Sequence, residues 1–189
     1  MKKVVFFLTA MVIATAASAQ TWSLDKAHSK VGFSITHMMV STVDGAFKTV
    51  DAKITSSKED FSDAVFEFTA DAASVDTDND QRDEHLRKPD FFDVEKYPTI
   101  TFKSTSIKKT GKNTYALKGN LTFHGVTKAI DLALTLNGTA VHPYSKKTIA
   151  GFKVTGAIKR SEFKFGEGTS TAMLGDEVTI VGNGEFAKD

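Results

Sequence analysis

The sequence predicts an all-β fold, an eight-stranded barrel with a short inserted helix near residues 80–88. Three observations carry this. Apolar and polar residues alternate with period two along most of the chain, turn signals separate the alternating stretches, and one segment breaks the rhythm with good helix formers. Period two with polar partners marks a strand with one buried face. Such faces sustained over eight strands favour closure, because closure removes exposed edges.

A leader precedes the strands. Met1-Lys2-Lys3 is a basic start, Val4 to Ala17 is apolar, and Ala17-Ser18-Ala19 is a small-x-small end before Gln20. This is the pattern of a secretory signal peptide over residues 1–19, cleaved after Ala19, with one domain over residues 20–189. The apolar run falls short of the roughly 20 residues a membrane span needs. Nothing later is long and apolar enough, so no stable membrane insertion is expected.

The first strand reads Val31, Phe33, Ile35 against Lys30, Ser34, Thr36. Gly45, Phe47, Val50, Ala52 and Ile54 form a second whose uneven parity suggests a bulge. Ala64, Phe66, Phe68 and Ala70 form a third, Ile100 and Phe102 a fourth, Tyr115 to Phe123 a fifth. Ile130, Leu132, Leu134 and Leu136 make the cleanest, followed by Phe152, Val154 and Ile158, then Val178 and Ile180. Between the third and fourth, Asp80 to Lys88 reads as a helix ending before Pro89, with Asp80 as expected cap and charges ordered to suit the helix dipole. Its expected place is over one mouth of the barrel.

Composition narrows the function. Without the leader's Lys2 and Lys3, 22 basic face 23 acidic side chains, which argues against a nucleic-acid partner. The absence of cysteine excludes disulfides and thiolate chemistry. Thirteen of the fifteen phenylalanines follow residue 19, a large aromatic payload for one domain.

Chemical motifs are sparse. Asp76-x-Asp78-x-Asp80 opens like a calcium loop, but Gln81 and Arg87 stand where glycine and the bidentate glutamate belong. The histidines His28, His37, His85, His124 and His142 form no ligand pair, and His37-Met38-Met39 is a copper pattern whose methionines would face opposite ways in a strand. No nucleophile elbow, dinucleotide fingerprint or Walker sequence occurs. No catalytic residue, metal ligand or cofactor is therefore assigned. His37 continues the inward parity of Val31, Phe33 and Ile35, which puts a polar group either at a pocket mouth or simply in water.

Several stretches together resemble the YceI-like family of exported lipid-binding proteins: Trp22-x-x-Asp25-x-x-His28-Ser29, Phe33, His37, Gly45-x-Phe47, Ser74-Val75-Asp76-Thr77, Arg82-Asp83-x-His85-Leu86, Phe91-Phe92-Asp93, Tyr97-Pro98-x-Ile100-x-Phe102-x-Ser104, and Gly119-x-Leu121-Thr122-Phe123-His124-Gly125-Val126-Thr127. Arg160 to Phe163 resembles the family's late element, although Glu162-Phe163-Lys164-Phe165-Gly166 carries two extra residues. The resemblance implies a lipocalin-like antiparallel barrel, a periplasmic address, a polyisoprenoid or other long-chain lipid as ligand and no established catalytic activity, and it leaves a homodimer open. On that basis Phe33, Phe66, Phe68, Phe102, Phe123 and Phe152 would line the cavity, with His37, Arg82 and His85 meeting the ligand's polar end. A filled barrel would need the same phenylalanines, and Arg82, Asp83 and His85 could equally tie the helix to the rim.

Overall fold

The computed structural model describes residues 18–189, so the expected leader lies, apart from its last two residues, outside the described residues. The strands are β1 (Gln20–His37), β2 (Ser41–Phe47), β3 (Val50–Ser56), β4 (Val65–Asp71), β5 (Val75–Asp76), β6 (Thr99–Lys109), β7 (Thr114–Phe123), β8 (Val126–Val141), β9 (Thr148–Lys159) and β10 (Leu174–Lys188). Helix α1 (Asp80–Leu86) lies between β5 and β6. Pairing is antiparallel throughout, and β10 pairs with β1 to close the sheet.

Ten strands make an eight-stranded barrel because β2 and β3 act as one bent strand. Gln20–Ser23 of β1 pairs with β3, and Val31–His37 of the same strand pairs with β2. The irregular parity over residues 45–54 marks the bend. There Lys48 and Thr49 leave the ladder and donate their amides to the carbonyl and hydroxyl of Ser74. The two-residue β5 extends β2 at its outer edge.

The barrel's two ends differ. One is packed solid by Trp22, Ile54, Phe61, Tyr115 and Phe186, all buried. Phe61, on the loop after β3, lies 5.1 Å from the ring of Trp22 and 5.0 Å from that of Phe152. Its loop is held by Asp63, which accepts the Ser56 hydroxyl at 2.6 Å and the Ser57 amide at 3.0 Å. Burial pushes the Asp63 carboxyl upward, but the donors from Ser56, Ser57 and Lys58 hold it well below the usual carboxylate range. The Tyr115 hydroxyl donates to the Asp60 carbonyl, tying the same loop to β7.

Helix α1 crosses the other end. Its cap is Asn79, one residue before the expected Asp80: Asn79 is still extended and its side chain accepts the Arg82 amide at 2.9 Å. The helix stops at Leu86, two residues short of Lys88, with Arg87 as its C-cap. Asp83 is buried and accepts the Thr77 amide at 3.0 Å and hydroxyl at 2.6 Å. Arg87 reaches back to the carbonyls of Ala73 and Val75 at 2.8 and 3.1 Å. These bonds strap the helix to the segment before it.

Candidate ligand-binding cavity

Between the packed end and α1 the interior is hollow. The cavity measures about 550 Å³, within the range of about 300–1,000 Å³ usual for small-molecule sites. Eight strands leave an interior that side chains can fill, so the space needs a cause. It lies in the inward-facing register of β9 and β10, where large residues pair with glycine: Ile180 with Gly156, Val154 with Gly182, Phe152 with Gly184. Phe33 pairs likewise with Gly45, and a Cβ there would run into its ring. Glycine on the inner face removes side-chain volume from the middle layers without breaking the ladder.

The lining is almost all carbon. Phe33, Phe66, Phe68, Phe102, Phe123 and Phe152 all border the cavity. So do the aliphatics Ile130, Leu132, Val154, Ile158, Val178 and Ile180, of which every one is only partly buried because it faces the hollow. Their parity was legible, but nothing in the sequence separates them from ordinary core. Polar lining residues near α1 are Thr77, Arg82 and His85, with His37 at the end of β1; Ser29, Glu67 and Asn183 border the cavity elsewhere. His37 is exposed at the end of β1, the first position beyond the buried wall. Arg82 is also exposed, and its guanidinium donates to the Thr77 hydroxyl at 2.7 Å and carbonyl at 2.6 Å. Arg82 therefore straps the helix and also borders the cavity. Among the described residues it is the one lysine or arginine in the lining. The His85 ring meets Phe91 edge-on at 5.0 Å.

Met38 and Met39 depart from the expected strand geometry. They occupy a tight turn between β1 and β2 with φ of 50° and 61°, so opposed strand faces do not apply to them.

Arg160 organises the mouth. It is buried, and all five of its N–H donors meet backbone carbonyls: Gly175 at 3.0 Å, Phe165 at 3.0 Å, Gly166 at 2.8 Å, Thr169 at 2.8 Å and Leu174 at 2.9 Å. This folds residues 164–175 into a compact loop. The two residues beyond the family pattern sit at its start, where Lys164 takes the left-handed conformation and Phe165 packs 4.8 Å from Phe92. The neighbouring Asp176 carboxyl is held low, first by the Ser161 amide, then by the Ser161 hydroxyl and the Arg160 charge.

Away from the mouth, Asp25, His28 and Glu185 bring ligating atoms within 4.8 Å of one another. They sit where β1 inserts Lys26 to Ser29 opposite the single Gly184 of β10. The Asp25 carboxylate accepts His28 Nδ1–H and the Ala27 amide at 2.8 and 2.9 Å, which staples the bulge and raises the His28 pKa.

A closed antiparallel barrel with one packed end and an apolar cavity beneath a strapped helix defines a calyx, a fold class whose interior either fills with side chains or has room for one small ligand. The YceI-like domain family matches residues 22–186. A UPF0312 protein of Serratia proteamaculans is 37% identical over 193 residues, spanning all of both chains, and the protein YceI of Escherichia coli O6:H1 is 38% identical over 159 residues, 83% of this chain and 82% of its own. The chain belongs to the YceI-like family. Among solved structures, BcnA of Burkholderia cenocepacia superposes with a TM-score of 0.77 at 28% identity, covering 86% of this chain and 98% of that one. The YceI protein of Campylobacter jejuni gives 0.72 at 38% identity, covering 88% and 96%. A Saccharophagus degradans domain described as polyisoprenoid-binding and implicated in plant cell wall breakdown shares the fold, with a TM-score of 0.67 at 17% identity and coverage of 89% and 98%.

Proposed function

We propose that this chain is an exported carrier that holds a polyisoprenoid or another long-chain amphiphile in the barrel cavity, for transport or sequestration. The carrying observation is the hollow of about 550 Å³ walled by phenylalanine and aliphatic side chains. Leu132 and Val154 lie flat against the inward glycines Gly156 and Gly182, where a Cβ would run into them, and the middle of the barrel stays open. The Saccharophagus domain of the same fold, described as polyisoprenoid-binding, supports the ligand class. The leader pattern of residues 1–19 supports export, with a periplasmic address.

The energetics suit holding. Each CH₂ withdrawn from water contributes about 0.8 kcal/mol, so ten give roughly 8 kcal/mol before the cost of immobilising the ligand. A ligand taken from a membrane has already left water, so fit to the lining and a bond at the polar end set the selectivity. Phe33, Phe66, Phe68, Phe102, Phe123 and Phe152 supply rigid surface, and His37, Arg82 and His85 meet the polar end.

The test is organic extraction of gently purified protein followed by mass spectrometry, with titration of a fluorescent prenyl lipid into delipidated protein. The expected result is one long-chain species near one per barrel and saturable binding at one site. Recovery of no lipid together with no saturable binding overturns the proposal.

A further inference from the structure

Four of the seven large hydrophobic residues that stand exposed among the described residues meet at one place: Met38 (53%), Met39 (76%), Val40 (86%) and Met173 (53%). The two segments that carry them are joined by a hydrogen bond from the Met38 amide to the Met173 carbonyl at 2.8 Å. They also border the cavity, since His37 precedes the hairpin tip and Met173 and Leu174 lie in the lining. Neither segment carries a fixed charge. No Asp, Glu, Lys or Arg occurs between Lys30 and Asp44 or between Glu167 and Asp176, in a chain that is 25% charged. The loop that presents Met173 is anchored by the Arg160 carbonyl bonds at Thr169, Leu174 and Gly175, so its apolar tip is held in place.

We infer that this uncharged, methionine-tipped lip is a membrane-contact surface, which seats the cavity mouth in the outer layer of a lipid bilayer while ligand passes. The inference rests on the carrier reading and names the partner of the same site. An ammonium or carboxylate at the lip would have to shed its hydration to enter the interfacial layer, whereas thioether and isopropyl groups enter favourably. Continuity of the lip with the cavity gives the contact its use. A long-chain ligand crossing directly from bilayer to barrel never exposes its methylenes to water. A second copy of the chain is the competing occupant of such a patch.

The test uses the full chain and two readouts. Met39→Trp adds a tryptophan at the lip, while the protein's one other tryptophan, Trp22, is buried at the packed end and serves as the control. With vesicles of phosphatidylethanolamine and phosphatidylglycerol bearing brominated acyl chains, the lip tryptophan should shift blue and be quenched well beyond wild type. The double variant Met39→Asp, Val40→Asp should take a dansyl-labelled farnesyl lipid from vesicles about tenfold more slowly. It should bind the same lipid delivered from ethanol as wild type does, since neither residue lines the cavity. Equal quenching of Met39→Trp and wild type overturns the inference, as does an unchanged transfer rate in the double variant. So does a wild-type dimer that the double variant converts to monomer with no vesicle effect, which assigns the lip to self-association. If wild type fails to bind the lipid from ethanol, the carrier reading itself is overturned, and the lip inference with it.

Discussion

Replacing Arg160 with methionine tests the claim that one buried guanidinium shapes the cavity mouth. The side chain is 3% exposed, and its five bonds end on carbonyls of Phe165, Gly166, Thr169, Leu174 and Gly175. Methionine keeps most of the volume and removes every donor. The bonds to Phe165 and Gly166 are buried, so those carbonyls lose their partner without gaining water, at about 1–3 kcal/mol each. The three part-buried carbonyls rehydrate at smaller cost, and the loss of a desolvated cation returns some of the total. The net expectation is about 3–5 kcal/mol, and at about 2–4 °C per kcal/mol for a domain of this size the midpoint falls by roughly 10 °C. Urea denaturation of wild type, Arg160→Met and Arg160→Lys measures it. Lysine keeps the charge but offers three donors from one point, so it should recover less than half the loss. Hydrogen exchange should quicken first in residues 164–175, and bound lipid should leave faster because Thr169 and Leu174 line the mouth. A loss below about 1 kcal/mol in Arg160→Met, with exchange in that loop unchanged, would refute the reasoning.

Four further outcomes are expected. Phe102→Glu or Phe123→Glu places an unpaired carboxylate in the apolar lining, and lipid retention should vanish in organic extracts while circular dichroism still reports a sheet protein. Ile180→Trp should fill part of the cavity that Ile180 lines, costing less than about 1 kcal/mol in urea midpoints while lowering bound lipid several-fold; a loss above about 3 kcal/mol would mean the site is already full. Arg82→Ala should loosen α1, seen as faster exchange over residues 77–86, at a global cost of only about 1 kcal/mol because the side chain is exposed. The Asp60 carboxyl, hydrogen-bonded by Lys109 and by Ser62, is lowered from 3.8 to about 2. Its contribution is therefore complete above the unfolded value and fades as pH falls toward the folded one, so Asp60→Asn should flatten the acid limb of urea midpoints between pH 3.8 and about 2.

The barrel was legible because period two is a local property. Ile130, Leu132, Leu134 and Leu136 announce an inner face without reference to any partner, whereas the uneven parity at Gly45 to Ile54, which predicts a bulge in one strand, is a break at Lys48 and Thr49 between β2 and β3. The helix was legible from Asp80 to Leu86 with Pro89 beyond, and its cap missed by one residue because Asn79 and Asp80 cap equally well in sequence. The hollow depends on register, which a single sequence does not state. Gly156, Gly182 and Gly184 have inward parity, yet only the register shows that Leu132, Val154 and Phe186 lie against them and leave the middle open. Arg160 looked like any basic residue, since its five partners are backbone atoms contributed by residues 165 to 175.

The seam between β1 and β10 sets a schedule for the chain. Trp22 faces Lys188 and Phe33 faces Ile180, so one edge of β1 pairs with the neighbouring β2 and β3 while its other edge waits for β10. Until Leu174–Lys188 arrives, no cylinder can form, and pairings this distant in sequence are slow to nucleate. A chain leaving the ribosome amino end first can therefore pair β1 with β2 and β3 early, yet its cylinder stays an open sheet until the last strand is in place.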